Sequence, residues 1–232
     1  GGTNAINDHG TNTIKINVPN ANAYSEFFVA GETKIITVNG KEYTITNTAS
    51  NDNKNLVYSI KGDTIEFQGT YFKITGNSEQ SHNVKLLSQR MTFTGGNLND
   101  TIIVANTARY AAVYGGSGDD YIENNAADVY MWGQDGNDKI INNGGNSCLI
   151  FGGNGDDTVE ITKGTGHYLD AGNGNDNVTV LGSASNATIY GGAGKNTITN
   201  KSGNNIGISG FGDADNAQSL LPVSYTHLTL PT

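Results

Sequence analysis

The 232-residue chain carries 22 acidic against 13 basic residues, a formal net charge of −9, 32 glycines, 3 prolines and a single cysteine, Cys148. One cysteine excludes an internal disulfide framework and a cysteine metal cluster. The acidic balance argues against a general nucleic-acid surface, and no apolar run approaches the ~20 residues of a membrane-spanning helix. Glycine at about twice its usual share, with Met and Trp almost absent, does not suit one large core. An elongated repeat that buries a thin row of branched residues per coil suits it better.

In chain order, residues 1–16 read as degenerate repeat turns: Gly2-Thr3-Asn4-Ala5-Ile6 recurs as Gly10-Thr11-Asn12-Thr13-Ile14. Residues 17–90 read as a small antiparallel β module. Asn39-Gly40 between residues 34–38 and 42–46 is a strong hairpin signal. Lys61-Gly62-Asp63 between residues 57–60 and 64–67 suggests a second hairpin, and residues 71–74 and 84–87 add two further strands. The aromatic residues Tyr24, Phe27, Phe28, Tyr43, Tyr58, Phe67, Tyr71 and Phe72 alternate as a hairpin core requires, or as an exposed binding platform would.

Residues 91–215 are more regular. Six glycine-rich turns begin at Gly95, Gly115, Gly133, Gly152, Ala171 and Gly191, spaced 18 to 20 residues apart, and end at Asp100, Asp120, Asp138, Asp157, Asp176 and Asn196. Two residues after each end stands a branched aliphatic residue: Ile102, Ile122, Ile140, Val159, Val178 or Ile198. That fixed offset predicts an all-β fold, a parallel β-roll or solenoid of about 18–20 residue coils, joined to the antiparallel meander. Met131, Leu149, Leu169 and Ile189 are expected to line the opposite wall, and Cys148, in an apolar run, to be a small buried hydrophobe.

Most of the net charge sits in this region, where 12 acidic residues face 4 basic ones between positions 91 and 200. Such a surplus repels itself unless a cation compensates it. Ca²⁺ takes six to eight oxygens, backbone carbonyls among them, and glycine allows the bends that bring carbonyls together. The candidate metal residues are therefore Asp100, Gly115, Gly116, Gly118, Asp120, Gly133, Gly136, Asp138, Gly152, Gly153, Gly155, Asp157, Gly172, Gly174 and Asp176. The other reading of the turns is a solenoid whose Asp and Asn side chains only cap their own backbone.

With Gly115-Gly116-Ser117-Gly118-Asp119-Asp120 and Gly152-Gly153-Asn154-Gly155-Asp156-Asp157 matching throughout, the region resembles the calcium-binding nonapeptide repeats of the RTX toxin and secreted-protease family. The resemblance covers residues 94–199. It implies a parallel β-roll with calcium between successive turns, metal-linked folding, and export by a one-step type I pathway to an extracellular or cell-surface location. The pattern departs from the family's nine-residue recurrence, which predicts one metallated edge and one degenerate edge. Leu98 weakens the first turn and Asn196 removes a charge from the last.

None of His9, His82 and His167 lies in a zinc-protease motif, and no nucleophile motif is present, so no enzymatic activity is expected. The expected function is calcium-driven folding of a segment of a larger secreted or surface protein, with calcium and the rest of the parent chain as partners. Alternatives are an adhesin module that binds a surface glycan or protein, and a non-catalytic fragment of a haemolysin or secreted enzyme. Residues 223–232 break every earlier pattern and resemble a translated sequencing adapter, so that tail, with His227, is left out of any site.

Overall fold

The computed structural model describes residues 23–211 and the terminal strands Asn12–Ile14 and Ser219–Pro222, with side chains described from residue 23 to 209. Of the expected turns at residues 1–16 only the strand Asn12–Ile14 is described, and the tail at 223–232 lies outside the described residues. Two eleven-stranded sheets form among the described residues. The first contains β1 (Asn12–Ile14), β3 (Thr33–Val38), β4 (Lys41–Asn47), β7 (Phe72–Gly76), β9 (Thr92–Thr94), β11 (Ala112–Ser117), β13 (Tyr130–Asp135), β15 (Leu149–Asn154), β17 (Tyr168–Asn173), β19 (Ala187–Gly192) and β21 (Ile206–Phe211), in that order. The second contains β2 (Tyr24–Phe28), β5 (Lys54–Lys61), β6 (Thr64–Gln68), β8 (Asn83–Leu86), β10 (Thr101–Val104), β12 (Tyr121–Asn124), β14 (Lys139–Asn142), β16 (Thr158–Ile161), β18 (Asn177–Val180), β20 (Thr197–Asn200) and β22 (Ser219–Pro222).

This is an all-β parallel β-solenoid with an antiparallel meander at one end, as the repeat spacing predicts. Each coil places a strand in the first sheet, crosses a glycine-rich turn, places a strand in the second, and returns by a loop. Register follows the repeat: Ile102, Ile122, Ile140, Val159, Val178 and Ile198 are consecutive cross-strand partners, and all are buried. Facing them, Phe93, Val113, Met131, Ile150, Leu169 and Ile189 form the opposite column. Burying each such side chain contributes roughly 1.5–3 kcal/mol.

The opposite wall differs from expectation at one place. Leu149 pairs with Tyr130 and Tyr168 on the outer face, while Ile150 points inward. A one-residue slip in a strand exchanges the two faces, and a run of Cys148, Leu149, Ile150 and Phe151 gives no polar marker to set the phase.

Asn39 and Gly40, at φ 50° and 72°, make the two-residue hairpin between β3 and β4. The second hairpin pairs Lys61 with Thr64, so its loop is Gly62-Asp63 alone. β7 pairs antiparallel with β4, as the meander reading expects, but also parallel with β9, and β8 pairs parallel with both β6 and β10, so parallel stacking already reaches into the meander. One apolar cluster runs from Phe28 to Ile208 through meander and roll alike.

On the outer face of the first sheet, the rings of Tyr114, Trp132 and Phe151 stack at 4.6 and 5.2 Å, almost parallel, and Tyr168 and Tyr190 extend the row at a tilt. The parallel register puts like positions one above another, so aromatic residues recurring once per coil meet face to face.

Candidate functional site: the glycine-rich edge

The turns from 115 to 196 bend at their second and fourth positions. Gly116, Gly118, Gly136, Gly153, Gly155, Gly172, Gly174, Gly192 and Gly194 all hold positive φ. At Gly155, with φ 126°, an added Cβ would also strike the carbonyl oxygen of Gly136 one coil earlier. Glycine is therefore required there for its conformation and for the close approach of successive backbones. Gln134 takes a glycine position at φ 84°. The first turn closes differently, since neither Gly96 nor Leu98 has positive φ and Leu98 is exposed.

The aspartates that end the turns point inward and are almost wholly buried, Asp100, Asp120 and Asp138 at 2 % exposure, Asp157 and Asp176 at 1 %. They form a ladder along the stack. Asp120 Oδ1 accepts the Asp100 N–H at 2.7 Å, Asp138 Oδ1 that of Asp120 at 2.8 Å, Asp157 Oδ1 that of Asp138 at 2.8 Å, and Asp176 Oδ1 that of Asp157 at 2.9 Å. Asn196 ends the series by accepting the Asp176 N–H at 2.7 Å. Each carboxylate thus caps the neighbouring coil through Oδ1, and Asp100 also caps its own turn through Oδ2, as the capping alternative expects.

The second carboxylate oxygens behave differently. Asp100 Oδ2 accepts the Gly96 N–H at 2.9 Å, but Oδ2 of Asp120, Asp138, Asp157 and Asp176 is buried with no hydrogen-bond partner. A Cβ placed on Gly115 would meet both Asp120 Oδ2 and, at 2.7 Å, the Gly133 carbonyl oxygen; Gly133 and Gly152 show the same crowding with the next coil's first carbonyl. The first-position residues Gly115, Gly133 and Gly152 therefore front a strip where unpartnered Oδ2 atoms lie beside backbone carbonyl oxygens.

An unpartnered buried acceptor is costly, and more so when charged. Burial, more than neighbouring charge, pushes Asp120 and Asp157 up to about 7 and Asp138 and Asp176 up to about 6, against the pull of the backbone hydrogen bonds. Asp100 is also raised by burial. Asn196 shows what the position asks for, because its Nδ2 donates to the Gly191 carbonyl at 2.6 Å. Where an asparagine supplies a proton donor, the aspartates offer another acceptor.

Two features of this edge carry no glycine–aspartate signature. His82 stands at the head of the ladder, its N–H donating to Asp100 Oδ1 at 2.6 Å, in a turn that lacks the repeat. A second, outer ladder links the fifth turn positions: Asp119 N–H to Asn99 Oδ1 at 3.0 Å, Asn137 N–H to Asp119 Oδ1 at 2.8 Å, Asp156 N–H to Asn137 Oδ1 at 2.7 Å, and Asn175 N–H to Asp156 Oδ1 at 2.7 Å. The alternation of Asn and Asp there was the available sequence signal.

No protein-family model, curated protein sequence or solved structure matches the chain. The architecture is consistent with the general form of the RTX-type β-roll.

On the opposite edge, His167 and Cys148 lie in a buried network. His167 Nδ1 accepts the Cys148 N–H at 3.2 Å, which leaves the proton on Nε2 for the Lys163 carbonyl at 3.0 Å. Burial lowers the imidazole and raises the thiol. Asn124 and Asn142 complete the network, with Asn124 Nδ2 donating to Asn142 Oδ1 at 2.8 Å. Asp170, close to His167 in sequence, pairs with Phe151 and Tyr190 in the first sheet and makes no bond to it. Cys148 is a small buried side chain, as expected, with the added role of a weak polar partner to Asn124.

Proposed function

We propose that the glycine-rich edge binds calcium, and that the chain is a calcium-stabilised structural segment of a larger secreted or cell-surface protein. The observation that carries this reading is the row of four buried Oδ2 atoms, on Asp120, Asp138, Asp157 and Asp176, with no donor beside them. Carboxylate and carbonyl oxygens side by side suit a hard cation. The residues that would hold it are those aspartates together with backbone carbonyls of Gly115, Gly133, Gly152 and Ala171. When bound, the ion supplies positive charge that lets the carboxylates stay ionised.

The donor set leans on the backbone. Among the described residues no three His, Cys, Asp or Glu side chains gather into a metal-holding group, so carbonyls must contribute most of the six to eight oxygens. The fold is consistent with a scaffolding role. A second reading, a scaffold whose ladder is held by protons instead of metal, is favoured by the Oδ1 ladder, in which backbone N–H groups satisfy one oxygen of each carboxylate.

The adhesin alternative loses most of its meander platform, because Phe28, Tyr43, Tyr58, Phe67 and Phe72 are core residues; Phe27 and Tyr71 remain exposed. Calorimetric titration of residues 1–222 with CaCl₂ at pH 7.5, after chelator treatment, tests the calcium reading alongside thermal melts. Binding heat and a rise in Tm with calcium but not with magnesium are expected. No heat and an unchanged Tm at millimolar calcium would sink it in favour of the proton-held scaffold.

A further inference from the structure

Each coil turns its second corner, opposite the glycine-rich edge, through one residue in the left-handed region. The column runs Tyr71, Arg90, Tyr110, Asp128, Ser147, Gly166 and Asn186, with φ between 50° and 72°. The last four are types that accept this conformation at low steric cost or hydrogen-bond locally. Tyr71, Arg90 and Tyr110 are not. Local preference is thus violated at three consecutive coils and obeyed at the next four, and such exceptions concentrate where a surface is used.

Those three residues also form one structure. The Arg90 guanidinium lies 5.6 Å from the Tyr71 ring centroid and 5.0 Å from that of Tyr110, Lys54 stands over Tyr71 at 5.9 Å, and Arg109 over Tyr110 at 5.2 Å. Both tyrosines are well exposed, at 40 and 43 %. Arg90 and Arg109 are the only arginines in a chain of net charge −9. Lys54 is ion-paired with Asp52, and Arg109 with Asp128 at 2.6 Å. Among the described residues no carboxylate pairs with Arg90. Its guanidinium lies over both rings and is exposed to solvent.

We propose that this corner binds a carboxylate-bearing sugar, with the Arg90 guanidinium gripping the carboxylate. A planar guanidinium pairs with a carboxylate through two parallel hydrogen bonds, and stacking on Tyr71 and Tyr110 holds that fork in place before binding. The neighbours favour a sugar acid over an acidic peptide. Exposed Gln89, next to Arg90 in the chain, and the two phenols offer partners for hydroxyl groups, whereas none of the seven left-handed corner residues has an aliphatic side chain to anchor a peptide. The acidic remainder of the protein repels polyanions in general, so recognition rests on this point contact. This site lies on the edge opposite the glycine-rich turns and goes beyond the calcium reading.

Residues 1–222 are titrated, at constant calcium, with a glucuronate-containing tetrasaccharide, with its carboxyl-reduced form, and with a glutamate-rich peptide. The proposal expects binding of the first, at least tenfold weaker binding of the other two, and at least tenfold loss in Arg90→Asn. Asparagine suits the left-handed corner better than arginine, so the Arg90→Asn protein should melt at the same temperature or higher, which separates lost binding from lost fold. Unchanged binding by Arg90→Asn overturns the assignment. So does equal binding of the carboxyl-reduced sugar, tighter binding of the peptide, or no binding at millimolar sugar.

Discussion

Asn196 Nδ2 donates to the Gly191 carbonyl at 2.6 Å, a bond that a carboxylate in the same place makes only if it carries a proton. In Asp120, Asp138, Asp157 and Asp176 the corresponding side-chain atom, Oδ2, has no hydrogen-bond partner. Replacing Asp157 by Asn should therefore supply the missing donor. In calcium-free buffer at pH 7.5, Asp157→Asn is expected to gain about 1–3 kcal/mol, the usual cost of an unsatisfied buried polar group. Urea unfolding measures it. The same variant should show a smaller stabilisation by calcium than the parent, and a full calcium response would argue that Asp157 is not a ligand.

The pH dependence follows from the same carboxylates. Their folded values, about 6 to 7, lie above the unfolded value, so between about pH 4 and 7 the folded chain holds more protons than the unfolded one. Stability then falls as pH rises through that window and is greatest below it. Without calcium, acidification from pH 7.5 to 5 should raise stability by on the order of a few kcal/mol across the ladder. With calcium the direction reverses, because protons compete with the ion. Melting curves at four or five pH values, with calcium and with chelator, show whether the two sets slope in opposite senses.

Backbone geometry gives a paired test. Gly155→Ala forces a side chain into a positive-φ position and against the Gly136 carbonyl; a loss of more than about 2 kcal/mol is expected. Gln134→Gly removes a side chain from φ 84° and should gain about 1 kcal/mol. Equilibrium unfolding of the two variants should move in opposite directions from the parent.

The external aromatic row makes a further prediction. Trp132 lies between Tyr114 and Phe151 with both rings near parallel to it. Trp132→Ala is expected to cost about 1–3 kcal/mol through lost stacking and side-chain burial, read by denaturant unfolding monitored by far-ultraviolet circular dichroism. In the parent the loss of the stack on unfolding should appear as a change in emission of this single tryptophan.

What was legible in the sequence was whatever repeated in kind. The glycine turns, their terminal aspartates and the aliphatic residue two places on are selected by the same local geometry in every coil, so the register from Ile102 to Ile198 could be read directly. The return corner was not legible. It imposes a backbone conformation without imposing a residue type, and Tyr71, Arg90 and Asp128 share a φ value but no chemistry. His82 was hidden for a related reason: the ladder uses its backbone N–H, which any residue but proline supplies. The parallel pairing of β7 and β8 was missed because the turn between them, from 77 to 82, carries no glycine. Leu149 and Ile150 were exchanged because four apolar residues in a row leave the two faces indistinguishable.

The two ladders of the glycine-rich edge run in opposite senses. On the inner one each later coil reaches back with its carboxylate to the backbone N–H of the coil before it, as Asp138 does to Asp120. On the outer one the earlier coil's side chain receives the later coil's N–H, as Asp119 does from Asn137. The edge is therefore cross-braced. Sliding one coil past the next in either direction lengthens one set of bonds while the other resists, so the stack should bear mechanical shear without a weak direction.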